Sequence, residues 1–96
     1  MIIVDTSVWI DHLHRTEPDL KAALGSDGVT IHPLVIEELA AGSLADRAEV
    51  LWLLGRLPTC LVMSHDEAMV MIDRWHLWSR GLSAVDIHLL GSALLG

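Results

Sequence analysis

The sequence predicts an α/β fold, a parallel sheet flanked by helices, and three observations carry that reading. Short aliphatic runs, "MIIV", "VTIH" and "CLVM", are each followed by a helical stretch. The runs are continuous rather than alternating, which means burial on both faces and favours parallel strands covered by helices. The first run is cut off by an acid, Asp5, just past the carboxyl end of a strand, where open parallel sheets place their ligands.

The elements follow in order. After "MIIV", Thr6 or Ser7 can cap a helix over "VWIDHLHR". "EPDLKAAL" is a second short helix, stopped by "GSDG". "VTIH" is the next strand, and Pro33 then suits a first helical position for "LVIEELAAG", with Gly42 as the stop. "LADRAEVLWLLGRL" is helical up to Pro58, with Leu51, Trp52 and Leu54 on overlapping apolar faces. "CLVM" is the third strand. Ser64 opens a helix with Glu67 at capping-box spacing, and that helix carries Met69, Ile72, Trp75 and Leu77 or Trp78 to an end near Gly81. Ser83 opens the last helix, "AVDIHLLGSALLG", which is apolar on nearly every side and is expected to be buried on most of its surface.

Length and composition bound the function. Ninety-six residues make one domain at most, burying roughly 60–68% of the surface the unfolded chain exposes. Just over half the residues are hydrophobic, so some apolar surface is available to a partner. Thirteen acids stand against six Lys and Arg, for a formal charge of −7. Such a chain does not hold nucleic acid by bulk electrostatics; bound cations must reverse the field locally. The single cysteine, Cys60, cannot form an internal disulfide and is expected in the core. No apolar run reaches membrane-spanning length, and "MIIV" is too short for a signal peptide. The expectation is a soluble, cytoplasmic protein with no membrane contact.

Three acids stand out. Asp5 ends a strand, Glu38 lies among Leu34, Val35 and Ala41 at helical spacing, and Asp86 among Leu82, Leu89, Leu90 and Ala93. Unpaired charge among such neighbours is costly, and a divalent cation shared by the three compensates all of them. Simpler readings stand beside this one: Asp5 as a helix cap, Glu38 reaching solvent from a helix edge, Asp86 as the third residue of the capping box "SAVD". Capping and metal binding are compatible, since a helix N-terminus tolerates an anion. Periodicity does not separate Glu38 from its neighbour Glu37. A zinc site lacks the Cys and His ligands it needs. His32 near a strand end is read as a satisfied polar residue. Trp9, Trp52, Trp75 and Trp78, at helical spacing among leucines, are read as core or partner interface rather than as base-stacking groups.

"IIVDTSVWID", "VIEELAAG" and "GLSAVDIHLLGSALL" together resemble the three acidic motifs of PIN-domain ribonucleases, in the subgroup formed by the toxins of VapBC toxin–antitoxin systems. The resemblance covers the whole chain. It implies a Rossmann-like PIN fold and metal-dependent endonucleolytic cleavage of RNA. It selects Glu38 over Glu37 and matches Asp5, Glu38 and Asp86 to the family's catalytic, metal-binding acids, with Thr6 or Ser7 as a supporting hydroxyl. The implied cofactor is Mg²⁺ or Mn²⁺, as hard carboxylate ligands suggest. The implied partners are an RNA substrate and a VapB-like antitoxin. The family continues past the last helix into a further strand and a Thr-x-Asp motif carrying a fourth acid. This sequence ends at Gly96, and the expectation is therefore a single partial PIN domain over residues 1–96 with weak or absent catalysis. An open sheet edge beside "MIIV" further predicts a homodimer. The alternative is a non-catalytic, antitoxin-binding module whose acids only cap helices, and metal binding separates the two. A haloacid dehalogenase-type hydrolase is discounted because Ser7 stands where that class needs a second Asp.

Overall fold

A short strand, then a helix capped by the acid between them, opens the chain. The computed structural model describes residues 2–96, and these divide into two compact units, one running to Thr59 and the other Cys60–Gly96. The first unit contains β1 (Ile2–Ile3), α1 (Thr6–His14), α2 (Pro18–Gly25), β2 (Val29–Thr30), α3 (Pro33–Ala41) and α4 (Arg47–Leu54). The second contains α5 (His65–Arg74) and α6 (Ala84–Leu95).

In the first unit β1 and β2 pair in parallel, Ile2 opposite Val29 and Ile3 opposite Thr30. The first residue of the "MIIV" run lies outside the described residues. Val4, Val29 and Ile31 are buried beside the sheet, with Trp9, Val35 and Leu39 from the helices. The cap of α1 is Asp5 rather than Thr6 or Ser7: its backbone is extended and its side chain accepts the Thr6 N–H. Pro33 begins α3 as expected, with the missing amide donor placed where no intrahelical bond is lost. His32 caps this helix; its Nδ1 accepts the Leu34 N–H at 3.0 Å while the ring is fully buried. α3 packs against both α1 and α4, burying Val35 and Leu39 four residues apart on one face. The Arg47 guanidinium donates from Nε (3.3 Å) and Nη2 (3.0 Å) to the Ala40 carbonyl, satisfying a group the helix end leaves open.

The third strand expected over "CLVM" does not form. A single parallel bridge joins Ile31 to Thr59, and the chain leaves the sheet there. Beyond it, the Leu61 carbonyl accepts the buried Ser92 hydroxyl from α6. Leu61 and Val62 are half exposed. Cys60 is half-buried rather than in the core.

In the second unit both expected capping boxes are present, Ser64 with Glu67 on α5 and Ser83 with Asp86 on α6. α5 packs on α6 around Met63, Ala68 and Ile87, with Met71, Ile72 and Leu77 against them. α5 stops at Arg74, well short of Gly81. The Leu77 N–H bonds back to the Ile72 carbonyl at 3.0 Å, and His76 takes a left-handed φ of 52°. That return bond closes the helix end and turns the chain away. α6 is also less buried than its composition predicts: Ile87, Gly91 and Ser92 face inward, while Leu94 and Leu95 are exposed. Of the tryptophans read as core or partner interface, only one lies in the core. Trp9 is buried, but Trp52, Trp75 and Trp78 are 60%, 47% and 54% exposed. Trp52 carries the Arg56 guanidinium 4.7 Å above its ring.

Candidate active site

The end of β1 delivers Asp5 to the N-terminus of α1, and both oxygens of its carboxylate are engaged locally. Oδ1 accepts the Thr6 N–H at 2.7 Å and Oδ2 accepts the Ser7 hydroxyl at 3.2 Å. A helix N-terminus stabilises the negative charge placed there. Thr6 has a second role across the unit. Its hydroxyl donates to Glu38 Oε1 at 2.7 Å, spanning 32 residues of sequence. One residue thus holds both acids, Asp5 through its amide and Glu38 through its hydroxyl. This is possible because α1 and α3 are packed against each other, which brings the first turn of one beside the last turns of the other.

Asp5 and Glu38 are exposed. So is Asp86. The reasoning that apolar neighbours strand these charges is therefore corrected: a helical apolar neighbour three or four residues away need not cover a carboxylate at a helix end or edge, and water solvates all three. Glu37 is exposed too, and what distinguishes Glu38 is the bond to Thr6, which no periodicity could have shown. Asp86 belongs to the second unit. It sits in the first turn of α6, accepts the Ser83 N–H through Oδ2 at 3.0 Å, and its own N–H bonds to Ser83 Oγ at 3.1 Å.

The donor set in the first unit suits a hard divalent ion. Each carboxylate oxygen keeps lone-pair capacity beyond its hydrogen bond, and Glu38 accepts only at Oε1 from Thr6. Among the described residues no group of three or more His, Cys, Asp or Glu forms a ready metal cage. Mg²⁺ does not need one: it keeps several of its waters and is commonly held by one or two carboxylates together with substrate phosphates. A pocket of about 350 Å³ adjoins Glu38, lined by Ile10, Leu13, His14, Leu44 and Val50 among others. His14 and the 43–46 turn were missed as neighbours of the site, because only the folding of α3 back onto α1 brings them there.

The model of the PIN domain family matches residues 2–96. Ribonuclease VapC32 of Mycobacterium tuberculosis, found in two strains, is 53% identical over 95 residues, covering 99% of this chain and 77% of the relative. No solved structure matches significantly.

Proposed function

This chain belongs to the PIN-domain family, and from that premise we propose that it is a metal-dependent endoribonuclease, the toxin of a VapBC-type toxin–antitoxin pair. The family model spans both units, which supports one PIN domain over the whole chain. The observation that carries the reading is the Thr6 bridge between Asp5 and Glu38: two exposed acids distant in sequence are both tied to one residue that donates to each.

Asp5, Glu38 and Asp86 are the proposed ligands and catalytic acids. Thr6 fixes the Glu38 carboxylate, and Ser7 and the Thr6 amide fix that of Asp5, so that neither has to be ordered when substrate arrives. Mg²⁺ or Mn²⁺, when bound, lowers the pKa of a water and stabilises charge building on the phosphate. The ion also offsets the repulsion between these acids and the phosphates of RNA, in a chain that carries −7 overall. A VapB-like antitoxin and a second copy of the chain are the proposed protein partners. Val8, Ile10 and Leu13, exposed along α1, offer apolar surface for them. No helix is long and apolar enough to cross a membrane among the described residues, and we place the protein in the cytoplasm.

The test is Asp5→Asn. Asn caps helices about as well as Asp, so α1 should persist while one charged ligand is lost. Cleavage of RNA should fall to background, and cleavage by the unaltered protein should stop with EDTA and return with Mg²⁺ or Mn²⁺. Undiminished cleavage in Asp5→Asn rejects the role assigned to this acid.

A further inference from the structure

The turn after α5 concentrates cationic and aromatic side chains in an acidic chain. The segment "RWHLWSR", residues 74–80, contains two of the six Lys and Arg and two of the four tryptophans, and no acid. Thirteen acids lie elsewhere in the sequence. Trp75 and Trp78 are about half exposed, so each presents ring surface to water at a cost that a core position would have avoided.

The turn is also held. Between the two indoles, Leu77 points inward and packs against the Met63, Ala68 and Ile87 cluster. His76 stands edge-on to Trp78, with ring centroids 4.8 Å apart. Arg80 donates through Nε to the His76 carbonyl at 2.9 Å, which leaves the terminal nitrogens of its guanidinium outside that bond. His76, Ser79 and Gly81 all take left-handed φ angles, 52°, 59° and 73°, a conformation that is costly for the first two and persists only where the surroundings impose it. Anchored backbone with outward indoles and guanidinium groups is the arrangement single-stranded nucleic acid uses: bases stack on aromatic faces and cations follow the phosphates.

Resting on the ribonuclease reading above, we infer that residues 74–80 form a stacking platform for unpaired bases of the RNA substrate. Trp75 and Trp78 supply the ring faces, and Arg74 and Arg80 supply the charge. Asp73 precedes the platform on α5, and Asp66 and Glu67 line the apolar groove beside Trp75. Asp66 and Glu67 repel phosphate from the first turn of the helix and Asp73 from its last, so the RNA backbone runs on the Arg80 side. The platform prefers unpaired strands, because bases in a duplex are already stacked on one another. It also tolerates many sequences, because every base has a π-face.

The experiment measures binding of a fluorescently labelled 10-nucleotide oligo(A) RNA to the whole chain by anisotropy, in EDTA so that metal-dependent cleavage does not intervene. A blunt RNA duplex of equal length is the comparison. The single strand should bind more tightly and quench tryptophan fluorescence. Trp78→Ala and Trp75→Ala should each weaken single-strand binding about 5- to 150-fold, the range expected for one base–aromatic stack. Arg80→Gln should lower the salt dependence of binding by about one phosphate contact. Far-UV circular dichroism of each variant controls for folding, and both side chains are exposed enough for the fold to survive. Unchanged affinity in the two tryptophan variants, with the wild type binding, overturns the platform and leaves the ribonuclease reading standing. A wild type that does not bind the single strand in EDTA overturns the platform, and one that also fails to cleave RNA with Mg²⁺ or Mn²⁺ overturns both. Variants that lose self-association while keeping RNA affinity also overturn it, and assign the turn to a protein interface.

Discussion

Thr6→Val tests the central link of the proposed site at nearly constant volume. Valine keeps the β-branched shape and χ1 preference of threonine and leaves the backbone N–H that bonds Asp5 untouched. Only the hydroxyl is exchanged for a methyl. That methyl cannot remain 2.7 Å from Glu38 Oε1; carbon and oxygen come no closer than about 3.3–3.6 Å even in weak hydrogen bonds. Glu38 must therefore retreat by about 0.6–0.9 Å, and it loses a charge-assisted donor as well. Outer-shell partners of metal ligands typically contribute about 10- to 100-fold to metal affinity or activity, and a misplacement approaching 1 Å can cost about 10²-fold in rate. The expected result is a loss of about 10- to 100-fold in Mn²⁺ affinity by isothermal titration calorimetry, with a parallel loss in single-turnover RNA cleavage. Thr6→Ser, which restores the hydroxyl, should recover most of both. Stability and helix content should be nearly unchanged, since Thr6 is only half-buried at the helix start and Asp5 still caps it. If Thr6→Val binds metal and cleaves within about twofold of the wild type, the bridge to Glu38 is incidental and the argument for the site fails.

Two further outcomes follow from the second unit. A Cβ at Gly91 would lie 2.2 Å from Met63 Cε and 2.3 Å from its Sδ; Met63 is buried and has to repack. Overpacking of this kind costs about 1–3 kcal/mol, against a helix-propensity gain of about 1 kcal/mol for Ala over Gly, so Gly91→Ala should be destabilising by no more than about 2 kcal/mol in a denaturant titration, and Met63→Ala in the same chain should relieve part of the clash. Hydrogen bonds from the Ser64 backbone and side chain hold the Glu67 carboxyl below its ordinary pKa. A lowered folded-state pKa means that the stabilisation is fully present above the unfolded-state value and is lost as pH falls through the folded one. Acidification should thus fray the start of α5, seen as faster amide exchange there, and Glu67→Gln should flatten that dependence; an identical pH profile in the variant would refute the capping role.

Local chemistry was legible in the sequence wherever a residue acts on its own neighbours. Pro33 at the head of α3, Ser64 with Glu67, and Ser83 with Asp86 are all set by contacts within four residues, and the structure has them as expected. The parallel pairing of β1 with β2 followed from continuous apolar runs. Motif resemblance led to the PIN family, and the comparisons show it. Tertiary structure decided what depends on groups far apart along the chain. "CLVM" has a strand's composition, but the Leu61 carbonyl accepts from Ser92, 31 residues on, and the ladder stops at Thr59. The tryptophans have the spacing of core residues, yet a left-handed His76 ends α5 early and turns Trp75 and Trp78 into solvent. Glu37 and Glu38 are equivalent to any periodic reading, and only the packing of α3 on α1 puts the Thr6 hydroxyl within 2.7 Å of Glu38. Hydrophobic pattern records which way a residue tends to face; which partner it meets is fixed by the path of the whole backbone.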